Sequence, residues 1–289
     1  METIETLCII GVGLIGGSLA RALRKAGVCA HIVGCSRRRE NLEKARALGV
    51  IDHFETDVGK AVSGADMIVV TVPLLAMEGL FRAMADRLAP DAVVTDGGSA
   101  KGSVIAAARA AFGEMPPNFV PAHPIAGTEQ SGVEASFDSL FQGRKVILTP
   151  VPETDTKARQ RVRAMWEAAG AIVTEMDAGR HDEILAATSH LPHVLAYALV
   201  DMLGTMGGAD GRTELFGYSG GGFRDFTRIA SSDPVMWRDI CLANSDAIVP
   251  LLARFREELD AIAEQVRERN GEAIETLFAR AKHYRDENL

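Results

Sequence analysis

The sequence predicts an α/β N-terminal domain built on a parallel sheet, followed by an all-α C-terminal domain. Three observations predict it. A G-x-G-x-x-G stretch lies between an apolar run and a helical pattern near the start of the chain. Short apolar runs then alternate with helical patterns as far as Glu175. After Asp177 only helical periodicity remains. A chain of 289 residues suits one or two domains. The changes of pattern place them at 1–177 and 178–289.

Leu7–Ile10 reads as a buried strand, and Gly17–Ala26 as a helix ending at Gly27. Gly11, Gly13 and Gly16 lie between them. Strand, glycine turn and helix in that order are the context of a dinucleotide-binding turn, so the first domain is of Rossmann type. Gly11 permits the tight turn, Gly13 lets the backbone approach a pyrophosphate, and Gly16 lets helix and strand pack closely. The helix start, with Leu14 and Ile15, offers free N–H groups and a positive dipole end to phosphates.

The second strand is Ala30–Cys35. An NAD-selective site usually has an acid about twenty residues after the last glycine, to bond the ribose 2′-hydroxyl. Here the strand runs into Ser36-Arg37-Arg38-Arg39. Arginine forks hold a 2′-phosphate through charge-assisted bonds. Ser36, Arg37 and Arg38 therefore point to NAD(P) with a leaning to NADP. The alternative is a solvated basic turn in a protein that accepts either cofactor.

The alternation continues through a helix at Asn41–Leu48, a strand at Met67–Val72 ending at Pro73, and a helix at Leu74–Leu88. Ala92–Thr95 is the next strand, and Ser103–Ala111 the next helix. Strands at Phe119–Pro121, Val146–Thr149 and Ile172–Glu175 complete the series, with a helix from about Thr156 to Ala169. Repeated strand–helix units imply a parallel sheet with right-handed crossovers. Ligands sit beyond the carboxyl ends of such strands, which places the Pro73, Ser99 and His123 loops beside the cofactor. The second half reads as helices throughout, interrupted at Pro192 and by a glycine-rich segment from Gly204 to Gly222.

Composition bounds the function. Hydrophobic content of 47% with 24% charged residues is that of a globular protein with ample core. A net charge of −8 argues against general nucleic-acid binding. No apolar run approaches the ~20 residues of a membrane helix. The N-terminal residues lack the basic and apolar regions of a signal peptide. Cys8, Cys29, Cys35 and Cys241 have no CxxC spacing and read as buried free thiols of the cytoplasm.

Several side chains could carry chemistry. His123 follows a strand, and Pro124 and Gly127 suggest an irregular loop. A histidine at the carboxyl edge of the sheet suits acid/base work, although backbone bonding alone would also explain it. His190 and His193 are spaced to share a helix face across Pro192, which should kink the helix. They suit a polar substrate pocket or a domain junction. No cysteine or carboxylate completes a metal set with them. Arg228 is the expected carboxylate anchor, and Arg224 is expected to pair internally with Asp225 or Glu214. Lys101 reads as a solvent-exposed lysine at a helix start.

The blocks GVGLIGGSLARAL, TDGGSAKGSVI, HPIAGTEQSG, SHLPH and GFRDFTRIASSDPVMWRDI, in this order, resemble the prephenate and arogenate dehydrogenase family of tyrosine biosynthesis. The resemblance spans most of the chain. It implies a Rossmann domain, a helical domain that forms a homodimer, and oxidation of prephenate or arogenate by NAD(P). It implies that His123 is the catalytic histidine and that Ser99 helps orient the ring hydroxyl or His123. Arg228 would bind a substrate carboxylate, His190 and His193 would line the pocket, and Glu129 would stand at its entrance. The presence of both Glu129 and His193 favours prephenate, or a relaxed enzyme that accepts either compound. Two other readings are a β-hydroxyacid dehydrogenase using Lys101 in place of His123, and a non-catalytic NADP-binding sensor.

Overall fold

The computed structural model describes residues 3–206 and 208–288. Six strands form a parallel sheet: β1 (Ile4–Ile10), β2 (Cys29–Cys35), β3 (His53–Glu55), β4 (Met67–Val70), β5 (Val93–Asp96) and β6 (Phe119–Val120). Their order is β3-β2-β1-β4-β5-β6, so the direction of winding reverses between β1 and β4. That reversal opens the crevice in which such sheets bind ligands.

Side-chain alternation along β1 explains the two layers. Leu7 and Ile9 face a core built with Leu19 and Leu23 of α1 (Leu14–Ala26), Leu42 of α2 (Arg39–Ala47), and Val162 and Trp166 of α6 (Thr156–Ala168). Cys8 and Ile10 face the opposite core. It is filled from α3 (Val58–Val62), by Phe81 of α4 (Met77–Met84), and by Val104 of α5 (Lys101–Phe112). Gly27 closes α1 in the left-handed region with φ of 68°, as its position after the last periodic residue predicts.

Three strands make a separate sheet. β7 (Ala122–Pro124) runs antiparallel to β8 (Lys145–Leu148), and β9 (Ile172–Glu175) runs parallel to β8. This departs from the expected single parallel series. It also corrects the loop expected at His123, which lies in β7 opposite Ile147. Pro124 fits because β7 is an edge strand, where a missing N–H costs no ladder bond. Two short elements escaped the sequence reading. β3 has three residues and α3 five, too few to display a period. The expected helix at Leu74–Leu88 is divided into a 3₁₀ turn at Leu74–Ala76, α4, and a second 3₁₀ turn at Ala85–Arg87.

Among the described residues no strand follows β9. Asp177 caps α7 (Ala178–Leu185) by accepting from the Arg180 N–H at 3.0 Å. A π turn at Ala186–His190 joins α7 to α8 (Leu191–Thr205). There the Leu191 N–H reaches back to the Ala186 carbonyl. Pro192 is therefore the second residue of a new helix, where its missing N–H costs nothing. α9 (Gly208–Gly217), α10 (Gly221–Thr227) and α11 (Pro234–Ala243) follow. The chain divides into two compact units, Met1–Asn244 and Ser245–Leu289. Helices α7 to α11 thus belong to the first unit, although the change from strands to helices comes at Asp177. The second unit consists of α12 (Ser245–Arg267) and α13 (Gly271–Asn288). Of the four thiols, Cys8 and Cys35 are buried, and Cys29 and Cys241 are half-buried.

Candidate active site

The turn after β1 has the shape of a dinucleotide cradle. Gly11 has φ of 98°, and a Cβ there would lie 2.5 Å from the Thr71 carbonyl oxygen of the loop after β4. Only glycine permits that approach. Gly13, at the start of α1, has no heavy atom within 4 Å of a Cβ position. Its outer side is open space at a helix N-terminus, where Leu14 and Ile15 begin the helix and offer free N–H groups. Pro73 starts the turn that leads into α4. At the end of β2, Ser36 is half-buried and Arg37 and Arg38 are exposed. The Ser36 hydroxyl accepts from the Arg38 N–H at 3.3 Å. Arg39 bonds Glu43 at 2.9 Å and lies over the Phe54 ring, so it is committed to its own helix. The residues present fit a dinucleotide.

His123 is buried in β7, and its Nδ1 lies 2.9 Å from Nε2 of His181. His181 Nδ1 lies in turn 2.8 Å from Oδ1 of Asp182. The same carboxylate accepts from the backbone N–H groups of Lys101 at 2.7 Å and Gly102 at 2.8 Å, so it caps α5 from across the fold. His181 and Asp182 were not singled out from the sequence. Burial pushes the His123 imidazole well below its ordinary range, and His181, Lys101 and His190 add to the effect. Burial would raise the Asp182 carboxyl, but the bonds from His181, Lys101 and Gly102 hold it below its usual value.

Lys101 corrects the sequence reading. It is fully buried, not solvated. Its ammonium is ion-paired with Asp96 and donates to the Ala122 carbonyl at 2.7 Å. Asp96 also accepts from the N–H groups of Gly98 at 2.7 Å and Ala122 at 3.0 Å. Both backbone groups of the residue before His123 are thus held by one buried pair. Burial lowers the Lys101 ammonium below its usual value while Asp96 opposes the shift.

Gly97 connects the cradle to this cluster. A Cβ there would stand 3.1 Å from Thr71, 3.6 Å from Ile15 and 3.7 Å from Pro124. Ser99 is half-buried in the loop between β5 and α5. The partner of His123 Nδ1 is His181 and not Ser99.

His190 is buried at the end of the π turn, and its Nδ1 lies 3.1 Å from Nδ2 of Asn244. An amide nitrogen donates, so His190 Nδ1 accepts and the ring is neutral. Burial lowers its pKa to about 4. His193 donates from Nδ1 to the Ser189 carbonyl at 2.8 Å and stacks on Trp237 with ring centroids 3.6 Å apart. Burial lowers its pKa as well. Trp237, missed in the sequence, is buried and its indole N–H has no partner among the described residues. Arg228 is exposed and ion-paired with Glu129, six residues beyond His123. Among the described residues Arg228, not Arg224, is the ion-paired one of these two arginines.

These histidines make stability pH-dependent. Their pKa values are lower folded than unfolded, so the unfolded chain binds more protons in acid. Stability should fall as the pH drops below about 6.5, the unfolded histidine value, and the His190 share of that loss should level off near 4. Denaturant melts across this range check it. A midpoint independent of pH would exclude buried neutral histidines.

Two family models match the chain. One, described as prephenate dehydrogenase, nucleotide-binding domain, covers residues 19–175. The other, prephenate dehydrogenase, dimerization domain, covers residues 177–280. The cyclohexadienyl dehydrogenase of Zymomonas mobilis is 38% identical over 99% of this chain and 96% of its own. The prephenate dehydrogenase of Bacillus subtilis is 34% identical over 98% of this chain and 76% of its own. The crystal structure of prephenate dehydrogenase from Aquifex aeolicus with hydroxyphenyl propionate and NAD+ superposes with a TM-score of 0.89 at 40% identity. It covers 99% of this chain and 98% of that one.

Proposed function

The chain belongs to the prephenate dehydrogenase family, and we propose that it oxidises prephenate to 4-hydroxyphenylpyruvate and CO₂ with hydride transfer to NAD(P)+. The observation that carries this reading is the meeting of the dinucleotide turn and the His123 strand at Gly97. On this reading the neutral imidazole of His123 lies beside the nicotinamide.

Gly11, Gly13, Leu14, Ile15 and Gly16 would hold the pyrophosphate, and Pro73 would flank it. When bound, the nicotinamide supplies the hydride acceptor. His123 takes the proton of the ring hydroxyl as hydride leaves C4. The ring carboxylate then departs from C1 as CO₂, its electron pair aromatises the ring, and the proton returns to the phenolate oxygen. Atoms and charge balance with no net proton released. A neutral imidazole is suited to taking and returning a proton near neutrality. Ser99 would help orient the hydroxyl, and His190 and His193 would line the pocket.

Arg228 would hold the side-chain carboxylate rather than the departing one, because a grip on the departing group weakens in the transition state and slows the step. Glu129 occupies Arg228 in the structure described here, so substrate must exchange one carboxylate for another. Loss of a charge-assisted hydrogen bond costs about 1.5–3 kcal/mol. Arg228→Ala should therefore raise KM for prephenate by roughly ten- to a hundredfold and change kcat little. A fall in kcat at constant KM would reverse the assignment.

Ser36, Arg37 and Arg38 favour NADP, since no acid is present there to bond a free 2′-hydroxyl. A division into a nucleotide domain at 1–177 and a helical substrate and dimerisation domain at 178–289 is supported by the two family matches, at 19–175 and 177–280. A homodimer is supported by the second match and by exposed Val249, Leu259, Val266 and Phe278 on α12 and α13. Free thiols favour the cytoplasm. Acceptance of arogenate as well is the second reading, favoured by the cyclohexadienyl dehydrogenase match over nearly the whole chain. Initial rates with prephenate or arogenate, each with NAD+ or NADP+, test all of this. Turnover of prephenate with NADP+ is the expected result, and no turnover in any combination would overturn the assignment.

A further inference from the structure

Asp182 fixes the direction of every bond in the histidine chain. Oδ1 receives both the Lys101 N–H and His181 Nδ1, and Oδ2 receives the Gly102 N–H. A carboxylate so engaged is an acceptor only, so His181 Nδ1 carries a hydrogen and its Nε2 carries a lone pair. His123 Nδ1 must then donate to His181 Nε2. That leaves His123 Nε2 as the unprotonated nitrogen, which a base requires.

The surroundings also rank the two rings as places for positive charge. His123 is buried, with the Lys101 ammonium on the α5 side and His190 on the π-turn side. His181 is fully buried, but it has a carboxylate at 2.8 Å, and that carboxylate is held at the N-terminus of α5. A cation beside Lys101 is repelled, and a cation beside Asp182 is attracted, in an interior where such effects are large.

We propose that His181 and Asp182 are positioning residues that hold the travelling proton. This rests on the reaction above. The ring hydroxyl gives its proton to His123 Nε2, the Nδ1 proton of His123 shifts to His181 Nε2, and the charge resides on a His181 imidazolium paired with Asp182. His123 is then neutral, with its hydrogen on Nε2. After CO₂ leaves, both shifts reverse and the phenolate recovers its proton. One proton moves in and one moves out, and no co-reactant is needed.

Two measurements test the proposal. The first does not depend on turnover. In ¹⁵N-histidine NMR of the whole protein, assigned with His123→Asn and His181→Gln, His123 should be the Nδ1–H tautomer at neutral pH. His181 should be the Nδ1–H tautomer as well, with its Nε2 bare. The other tautomer of either ring would overturn the relay even if prephenate were not the substrate. The second is kinetic. His181→Gln keeps an acceptor for His123 but cannot store a proton. Its kcat should fall roughly ten- to a hundredfold, as for loss of part of an acid–base system, with KM for prephenate nearly unchanged. The acid limb of its kcat profile should move to lower pH, because His123 alone resists protonation. A limb that stays in place would reduce His181 to a structural contact. Wild-type protein inert toward prephenate, with both tautomers as expected, would remove the substrate assignment and leave the relay.

Discussion

His123→Asn should lower kcat by about 10²–10⁴-fold, the usual contribution of a positioned acid–base group, while KM for prephenate changes little. The substitution is close in size, and asparagine can still donate to His181 Nε2. What it cannot do is receive a proton at the Nε2 position. The ring hydroxyl must then keep its proton while hydride departs, and positive charge builds on the oxygen in a site where burial already disfavours charge. Steady-state kinetics on the purified variant give both constants. A normal kcat would move the chemistry away from His123, and with it the role of the Gly97 junction. A sensor that merely bound NADPH would show no effect of this substitution.

The second large effect concerns folding. Lys101→Met removes the ammonium from a buried pair and leaves Asp96 charged in the core. Breaking such a pair typically costs 3–5 kcal/mol, because the remaining charge is uncompensated. For a domain of this size that corresponds to a fall of roughly 6–20 °C in melting temperature. Adding Asp96→Leu to Lys101→Met should not restore stability. Asp96 also accepts from the Gly98 and Ala122 N–H groups, which would be orphaned. Thermal melts of the single and double variants distinguish the cases. A single variant as stable as the wild type would show that the pair is solvated or already neutral. Activity in any folded fraction should also fall, since Lys101 holds the Ala122 carbonyl beside His123.

The first domain was legible because its signals are local. The apolar run before Gly11, the spacing to Gly16 and the arginines after Cys35 each lie within a few residues, and the parallel order follows from connection rules. His123 and Arg228 stood out as side chains of the right type near a glycine turn or a strand end. The rest required the tertiary fold. His181 and Asp182 sit in an ordinary amphipathic helix, and nothing local says that one will bond a histidine 58 residues earlier. Lys101 looked solvated because lysine is seldom fully buried and helix starts are usually exposed. Its partner Asp96 lies five residues back, on the far side of a glycine loop whose path the sequence does not specify. The separate sheet was missed for a related reason. Ala122–Pro124 contains a proline, and only its place at an edge, against a strand more than twenty residues later, makes it a strand at all.

The π turn at Ala186–His190 makes this part of the chain intolerant of changes in length. A wide turn holds one residue more than the regular helix would, and each residue in a regular helix turns the chain by about 100°. The π turn takes up that residue with little net rotation, because a turn closed from Leu191 N–H to the Ala186 carbonyl sweeps about as far as a regular turn one residue shorter. A further residue inserted between Leu185 and His190 would rotate everything downstream by about 100° relative to α7. His190 would turn away from Asn244 and His193 from Trp237. Deleting a residue would keep those facings but turn the segment into regular helix with Pro192 in its interior, where it clashes with the preceding turn. Substitutions here can be mild, but a change of length in either direction is costly, so orthologues that keep both histidines should also keep the number of residues between them and Asp182.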